Sequence, residues 1–448
     1  MLRQLETVYA VFALLVMTGG AVTLLTPTST LLAYGSTGSL YVRILALGIG
    51  LSAATLFVLH RGAVHNLFTR YWPVLIPPLF AILSVFWAAD FSLAFRRSVA
   101  LFLFTLLGIW LAERFTPRGL FNCVLTAMLL LCLASLLAIV LAPGWGIHTA
   151  ANGTNMEHVG SWRGVLAHKN DLGRLAAYTG MLFVLAGVMR PRYRAFYLSS
   201  AAIAMVLVIG SRSGQGIVLL VLPLVAILAL LWLRTLSPKH RALALVLLVP
   251  FSVVFTMISG AIAAVILEAL GKDPTLTGRT EIWDAVWQAL SGNFLFGGGY
   301  GSGWEFVSYK VRIYLSSPDT TLSHAHNGYL DLMTDIGLIG VTITLLIYLW
   351  ALAKLFRMFM VGRETEFAAF GFVTIVFCLA GNWVASFLLP HDKVFWVLVT
   401  AIFCKIMQLS EQKTMRRRIE PVSPAAPGHE AEAASLPIGF VQNPTVDR

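Results

Sequence analysis

Residues 323–350 read SHAHNGYLDLMTDIGLIGVTITLLIYLW. The first half of the stretch gathers His324, His326, Asn327 and Asp331, and the second half is almost pure hydrocarbon. A run of that second kind crosses a bilayer as a helix, because about 20 apolar residues span the hydrocarbon layer and only a helix satisfies its own backbone there. Ionisable groups at the mouth of such a run are expensive unless they are satisfied or used. The polar half therefore marks the place to look for chemistry, within a polar segment running from about residue 270 to 335.

Working outward, the same apolar texture recurs along the chain. Hydrophobic residues make up 58% of it, charged residues only 12%, and the mean hydropathy is +0.80. These values exclude an ordinary soluble domain. Twelve candidate spans can be drawn, at about 8–27, 41–59, 73–88, 98–112, 119–142, 172–189, 195–210, 214–233, 242–268, 336–353, 367–389 and 394–410. The expected fold is an all-α polytopic membrane protein over residues 1–410, with short helices in the large loop 270–335. The first apolar run is too long for a cleaved signal sequence and reads as a permanent span.

Positive charge orients the spans. With the N-terminus inside, the inner connections hold Arg61 and Arg70; Arg114 and Arg118; Arg190, Arg192 and Arg194; Arg234, Lys239 and Arg241; and Lys354, Arg357 and Arg363. The C-terminal segment adds Lys405, Lys413, Arg416, Arg417 and Arg418. Both termini are thus expected in the cytoplasm, and the large loop on the outer face. The net charge of +11 follows from this bias and from anionic inner-leaflet lipid rather than from nucleic-acid binding. Cys123, Cys132, Cys378 and Cys404 all fall in or beside spans and suit neither a metal site nor a disulfide framework. Residues 419–448, rich in Pro, Ala and Glu, read as a disordered cytoplasmic tail.

Basic residues on the outer face run against the bias, so they ask for an anionic ligand. They are Arg96 and Arg97; Arg163, His168, Lys169 and Arg174; Arg212; Arg279; and His391 with Lys393. Arg163 and Lys169 flank a turn at Gly164, and Asn170–Asp171 reads as a helix start that would offer N–H groups to a phosphate. The same cluster also reads as an interfacial patch touching lipid headgroups. Arg212 sits in SRSGQ, a connection of about five residues between two spans, with Gly210, Gly214 and Gly216 allowing close approach. Arg279 opens TEIWDAVWQAL, where Trp283, Ala285, Val286 and Leu290 recur at helical spacing, as in a short interfacial helix. The run GGGYGSG lacks the Lys-Ser/Thr of a nucleotide-binding loop and reads as a flexible re-entrant or hinge turn. HxH alone is a weak metal signal, so the histidines read better as a general base held neutral by nearby arginines. Asp331 could orient a ring or a backbone group.

Several motifs share one side of the membrane: RGVLAHKNDLGR, SRSG, GRTEIWDAVW, LFGGGYGSGW and HAHNGYLDLMTDIGLIG. In this order the chain from Asp90 to about Leu389 resembles the O-antigen ligase and polymerase superfamily, bacterial inner-membrane glycosyltransferases. The first motif and VFWAADFSLAFRRS look most like the exopolysaccharide polymerase branch. The resemblance implies a GT-C-like frame with its active site facing the periplasm. It implies a donor glycan on undecaprenyl pyrophosphate, transferred with inversion to an acceptor sugar hydroxyl, with no metal or other cofactor. His326 matches the family histidine, Arg212 and Arg279 the catalytic arginines, and Arg163 and Lys169 further basic positions. His168, Arg97, His324 and Asn327 join them as expected donor-binding residues. The acceptor is another lipid-linked glycan, or lipid A–core, which would make the protein an O-antigen ligase, or a protein side chain, which would make it an oligosaccharyltransferase. A transporter or flippase is the alternative outside this chemistry; it predicts broken helices with mid-bilayer charges and internal repeats, which the sequence lacks.

Overall fold

The computed structural model describes residues 2–20, 40–59, 62–150, 156–244, 279–315, 324–391 and 393–419. Among the described residues the regular elements are helices, with one isolated antiparallel bridge between Ile147 and Trp162. In chain order the helices are α1 (Leu2–Met17), α2 (Leu40–Leu59), α3 (Ala63–Thr69), α4 (Trp72–Leu83), α5 (Phe91–Arg114), α6 (Pro117–Leu141) and α7 (Lys169–Met189). They continue as α8 (Arg194–Ser211), α9 (Gly214–Thr235), α10 (Arg279–Ala289), α11 (Gly303–Tyr314), α12 (Gly328–Met360), α13 (Thr365–Gly381) and α14 (Val394–Ile419).

Seven of the described helices are long and apolar enough to cross a membrane, among them α5, α6, α7, α9 and α12; α2, α4 and α13 contribute shorter apolar stretches. The chain is therefore a polytopic helical membrane protein. The expected count of twelve rests partly on the span at 242–268, most of which lies outside the described residues. The tail at 420–448 and loop residues 270–278 and 316–323 lie outside them too.

Two expectations about boundaries are corrected. Helix α5 begins at Phe91, because the Asp90 side chain accepts from the N–H of Leu93 at 2.9 Å. Arg96 and Arg97 therefore sit in the first turns of a helix, not in a loop. Helix α7 begins at Lys169, capped by the His168 imidazole rather than by Asn170 or Asp171. The Asn327 side chain caps α12 by accepting from Tyr329 and Leu330.

Helix α12 is two helices joined at Gly337, whose φ of 61° and ψ of −172° break the backbone ladder. The amides so released donate to the glycine-rich segment before α11: Leu338 to Phe294 O at 2.9 Å and Ile339 to Leu295 O at 3.2 Å. In return Thr334 O accepts from Gly298 N at 2.8 Å, and Asp335 Oδ1 from Gly303 N at 3.0 Å. A Cβ on Gly303 would overlap the Thr334 carbonyl. The glycine run is thus a packed backbone splice that satisfies a broken helix, not a flexible hinge.

The helix ends sort into two groups. At one end Arg190 pairs with Glu366 and bonds to Asn122 and Tyr197, and Arg114 pairs with Glu6 at 2.5 Å. At the other end, called here the histidine end, the segments 84–90, 143–150, 156–168, 211–213, 289–303, 324–328 and 382–391 interlock. Examples are Ala89 N to Gly298 O at 2.9 Å, Tyr300 OH to Leu389 O at 2.5 Å, Trp162 N to Gly210 O at 2.9 Å and Gly328 N to Asn382 O at 2.7 Å.

Candidate active site

Two basic clusters lie at the histidine end. The first is built on the loop between α12 and the preceding segment. The Ala325 peptide is gripped from both sides: its N–H donates to Asp331 Oδ1 at 2.8 Å and its carbonyl accepts from Trp283 Nε1 at 3.0 Å. Ser386 Oγ holds the other Asp331 oxygen at 2.8 Å. The backbone so fixed places His326 at φ 55°, a left-handed conformation uncommon for a residue with a side chain. Strain of this kind concentrates at functional sites.

The rings of His324 and His326 face each other with centroids 4.1 Å apart. Desolvation, the His324 ring and the Arg279 guanidinium together hold His326 down to about 4, against a slight opposing pull from Asp331. Desolvation, Lys393, Arg174 and Arg279 push His324 down in the same way. Both imidazoles are therefore neutral at physiological pH and able to accept a proton. Arg279 starts α10, whose Ala285, Val286 and Ala289 pack with Val307, Val311, Leu330 and Met333. Trp283, one turn beyond Arg279, thus ties the arginine-bearing helix to the histidine loop.

The second cluster surrounds the start of α7. Residues 146–148 and 160–164 pair as a short ladder, with Gly160 N to His148 O at 2.8 Å and His148 N to Ser161 O at 2.9 Å. Arg163 is 5% exposed and donates from Nε to Trp145 O at 2.7 Å. Burial works against its charge. Lys169 N donates to His148 Nε2 at 3.1 Å.

Arg212 is the left-handed C-cap of α8 at φ 50°, and the very next residue, Ser213, caps α9 by accepting from Gly216 N at 3.2 Å. The connection is therefore two residues long rather than about five. It is clamped below by Trp162, against whose indole any side chain at Gly210 would collide, and by Ser213 Oγ to Asn170 Oδ1 at 2.9 Å. The Arg212 guanidinium stands exposed beside Gly160.

Arg174 links the two clusters. It pairs with Asp171, donates to Gln215 Oε1 at 3.1 Å and lies over the Phe387 ring, while its charge, with that of Lys393, reaches His324. Of the expected residues, His326, His324, Arg279 and Asn327 belong to the first cluster, with Asn327 serving as a helix cap. Arg163, His168, Lys169 and Arg212 belong to the second. Arg97 stands apart: its guanidinium bonds the Gly301 carbonyl and faces Asp335, so it braces the glycine splice. The sequence reading missed His148 and His158, whose rings meet that of His168 tilted or edge-on in the second cluster. No local pattern announces them, because they meet His168 only through the fold of the segment between α6 and α7.

Comparison with known proteins shows what the chain is similar to. Residues 197–345 match the family model described as O-antigen ligase (Wzy_C), a stretch holding Arg212, Arg279 and His326. The chain is also 26% identical over 344 residues to the exopolysaccharide production protein ExoQ of Rhizobium meliloti strain 1021, covering 74% of this chain and 76% of that protein. Over residues 197–345 the chain is similar to the O-antigen ligase family, and over most of its length to an exopolysaccharide production protein.

Proposed function

We propose that the protein is a glycosyltransferase of the bacterial inner membrane. It moves a glycan from undecaprenyl pyrophosphate to a sugar hydroxyl on a second glycan, and so polymerises the repeat unit of an exopolysaccharide. Its frame is GT-C-like, with twelve spans, the histidine end in the periplasm and both termini in the cytoplasm. The observation that carries this reading is His326: a neutral, half-buried imidazole held in a strained backbone within reach of the Arg279 charge.

In this reading His326 takes the proton of the acceptor hydroxyl as that oxygen attacks the anomeric carbon, and the pyrophosphate leaves from the opposite face. Arg212, Arg279 and Arg163, with Lys169, meet the charge that grows on the leaving oxygen. Preorganised cations in a partly dry site stabilise such charge far more than water does. The split of the site suits an inverting displacement, in which base and leaving group need separate partners. Similarity to an exopolysaccharide production protein favours polymerisation. The match to an O-antigen ligase family favours lipid A–core as an alternative acceptor.

The test is to incubate purified protein with lipid-pyrophosphate-linked oligosaccharide, with and without lipid A–core, and separate the products on a gel. A ladder from donor alone supports the polymerase. A single shift that requires lipid A–core replaces it with the ligase, and no product in either arm overturns the glycosyltransferase reading.

A further inference from the structure

Between α10 and α11 the chain exposes three apolar side chains in a row. Phe294, Leu295 and Phe296 are 39%, 51% and 45% exposed, and the buried run 297–300 follows them. Trp287 extends the patch on one side, its ring 5.8 Å from that of Phe294. Trp87 extends it on the other, its ring 5.6 Å from that of Phe296. No charged residue occurs between Asp284 and Glu305. In a loop facing water such a patch would invite aggregation.

The backbone under these side chains is suited to a place without water. Phe294 O accepts from Leu338 N at 2.9 Å, and Leu295 O from Ile339 N at 3.2 Å. Phe296 O accepts from Trp87 Nε1 at 3.2 Å, and Gly297 O from Asn293 Nδ2 at 2.8 Å. Gly298 O accepts from Ala89 N at 2.9 Å. Every carbonyl from 294 to 298 is thus met inside the protein. Irregular backbone is tolerated at membrane depth only when its polar groups are satisfied in this way.

The level of the segment is fixed by its partners. Leu338 and Ile339 open the second half of α12, one of the helices long and apolar enough to cross a membrane. Residues 294 and 295 are bonded to its first turn, where the hydrocarbon begins. The sequence had pointed instead to α10 as the interfacial element. Its Ala285, Val286 and Leu290 are spent on the protein core, against Val307, Val311 and Met333, so they are not free to face lipid.

We propose that residues 294–296 form a re-entrant wedge whose side chains lie among phospholipid acyl chains in the leaflet at the histidine end, with Trp287 and Trp87 at its rim. Tryptophan favours that boundary, where its ring is apolar and its N–H finds a partner. A second copy of the chain suits the patch less well, because stable protein interfaces engage about 20–30 residues a side. The wedge and the break at Gly337 then work as one device. Lipid holds the side chains of the segment whose carbonyls complete the broken helix. This inference rests on the membrane-spanning fold and is independent of the reaction proposed above.

The test places a nitroxide label on the full-length protein by Leu295→Cys and, for comparison, by Glu305→Cys on the exposed start of α11. The protein is held in phosphatidylcholine nanodiscs free of any lipid-linked donor. The native cysteines are buried and stay unlabelled. Collisions of each label with oxygen, which concentrates in hydrocarbon, are compared with collisions with a neutral nickel chelate, which stays in water. Oxygen is expected to dominate at position 295 and nickel at position 305. Phe296→Cys repeats the reading should Leu295→Cys fail to fold, and the same dominance of oxygen is expected there. Nickel dominating at 295 or 296 places the segment in water and overturns the proposal. Loss of both kinds of collision, with dipolar broadening between labels on two molecules, makes the patch a contact between copies and overturns it as well.

Discussion

His326 and Arg212 share an unusual property: both carry side chains at positive φ, at 55° and 50°. Glycine would relieve that strain, so Arg212→Gly is expected to unfold at a higher temperature than Arg212→Ala, by a difference of about 1 kcal/mol, while both lose transfer activity. Thermal unfolding in detergent beside an activity assay checks the pair. The pH profile follows from the depressed His326 pKa. The neutral ring is the working base, and burial and Arg279 lower its pKa from 6.5 to about 4. The activity of the free enzyme is therefore expected to stay level as pH falls through 6.5 and to drop only on approaching 4. Stability has the same sign: below 6.5 the unfolded chain takes up a proton that the folded ring refuses, so the fold weakens as pH falls toward 4. An acid limb centred near 6.5 in kcat/KM would contradict the assignment.

Among the elements, α10 and α12 decide how well the site is held. The bond from Trp283 to the Ala325 carbonyl is the link between the Arg279 helix and the histidine loop. Trp283→Phe keeps the ring in its apolar seat and removes only the donor. It is expected to lower kcat about tenfold with the donor KM little changed, which steady-state kinetics would show. This level was only partly legible in the sequence. The helical period of Trp283, Ala285, Val286 and Leu290 announced α10, and the contrast of two imidazoles against hydrocarbon announced the histidine loop. The break at Gly337 was not legible, since a glycine in an apolar run is a weak signal until the segment 293–298 is seen to fill the gap. Nor was the role of Arg97, whose partner Gly301 lies 204 residues away. His168 resembled a ligand and turned out also to cap α7, because its Nδ1 reaches an amide two residues on.

For the whole molecule, composition alone gave the class, because a chain this apolar has no other stable way to bury its backbone. The proposed sidedness rests on the alternation of basic connections along the sequence. A concrete consequence is that Glu157→Cys reacts with a membrane-impermeant thiol reagent in cells whose outer membrane is opened, whereas Lys239→Cys reacts only after the inner membrane is lysed. The four native cysteines are buried and should stay silent in this assay. What sequence could not show is how the two basic clusters meet. That depends on the Asp171–Arg174 pair, Gln215 and Val384 coming together from three parts of the chain.

The central claim is that one site at the histidine end breaks the bond between glycan and lipid pyrophosphate, with His326 as its base. The most direct measurement is the rate at which purified protein releases undecaprenyl pyrophosphate from the lipid-linked donor, compared between wild type and His326→Gln at equal donor occupancy. A fall of about 10²- to 10⁴-fold, the usual worth of a general base, is the predicted result. Release at the wild-type rate by His326→Gln would contradict the account.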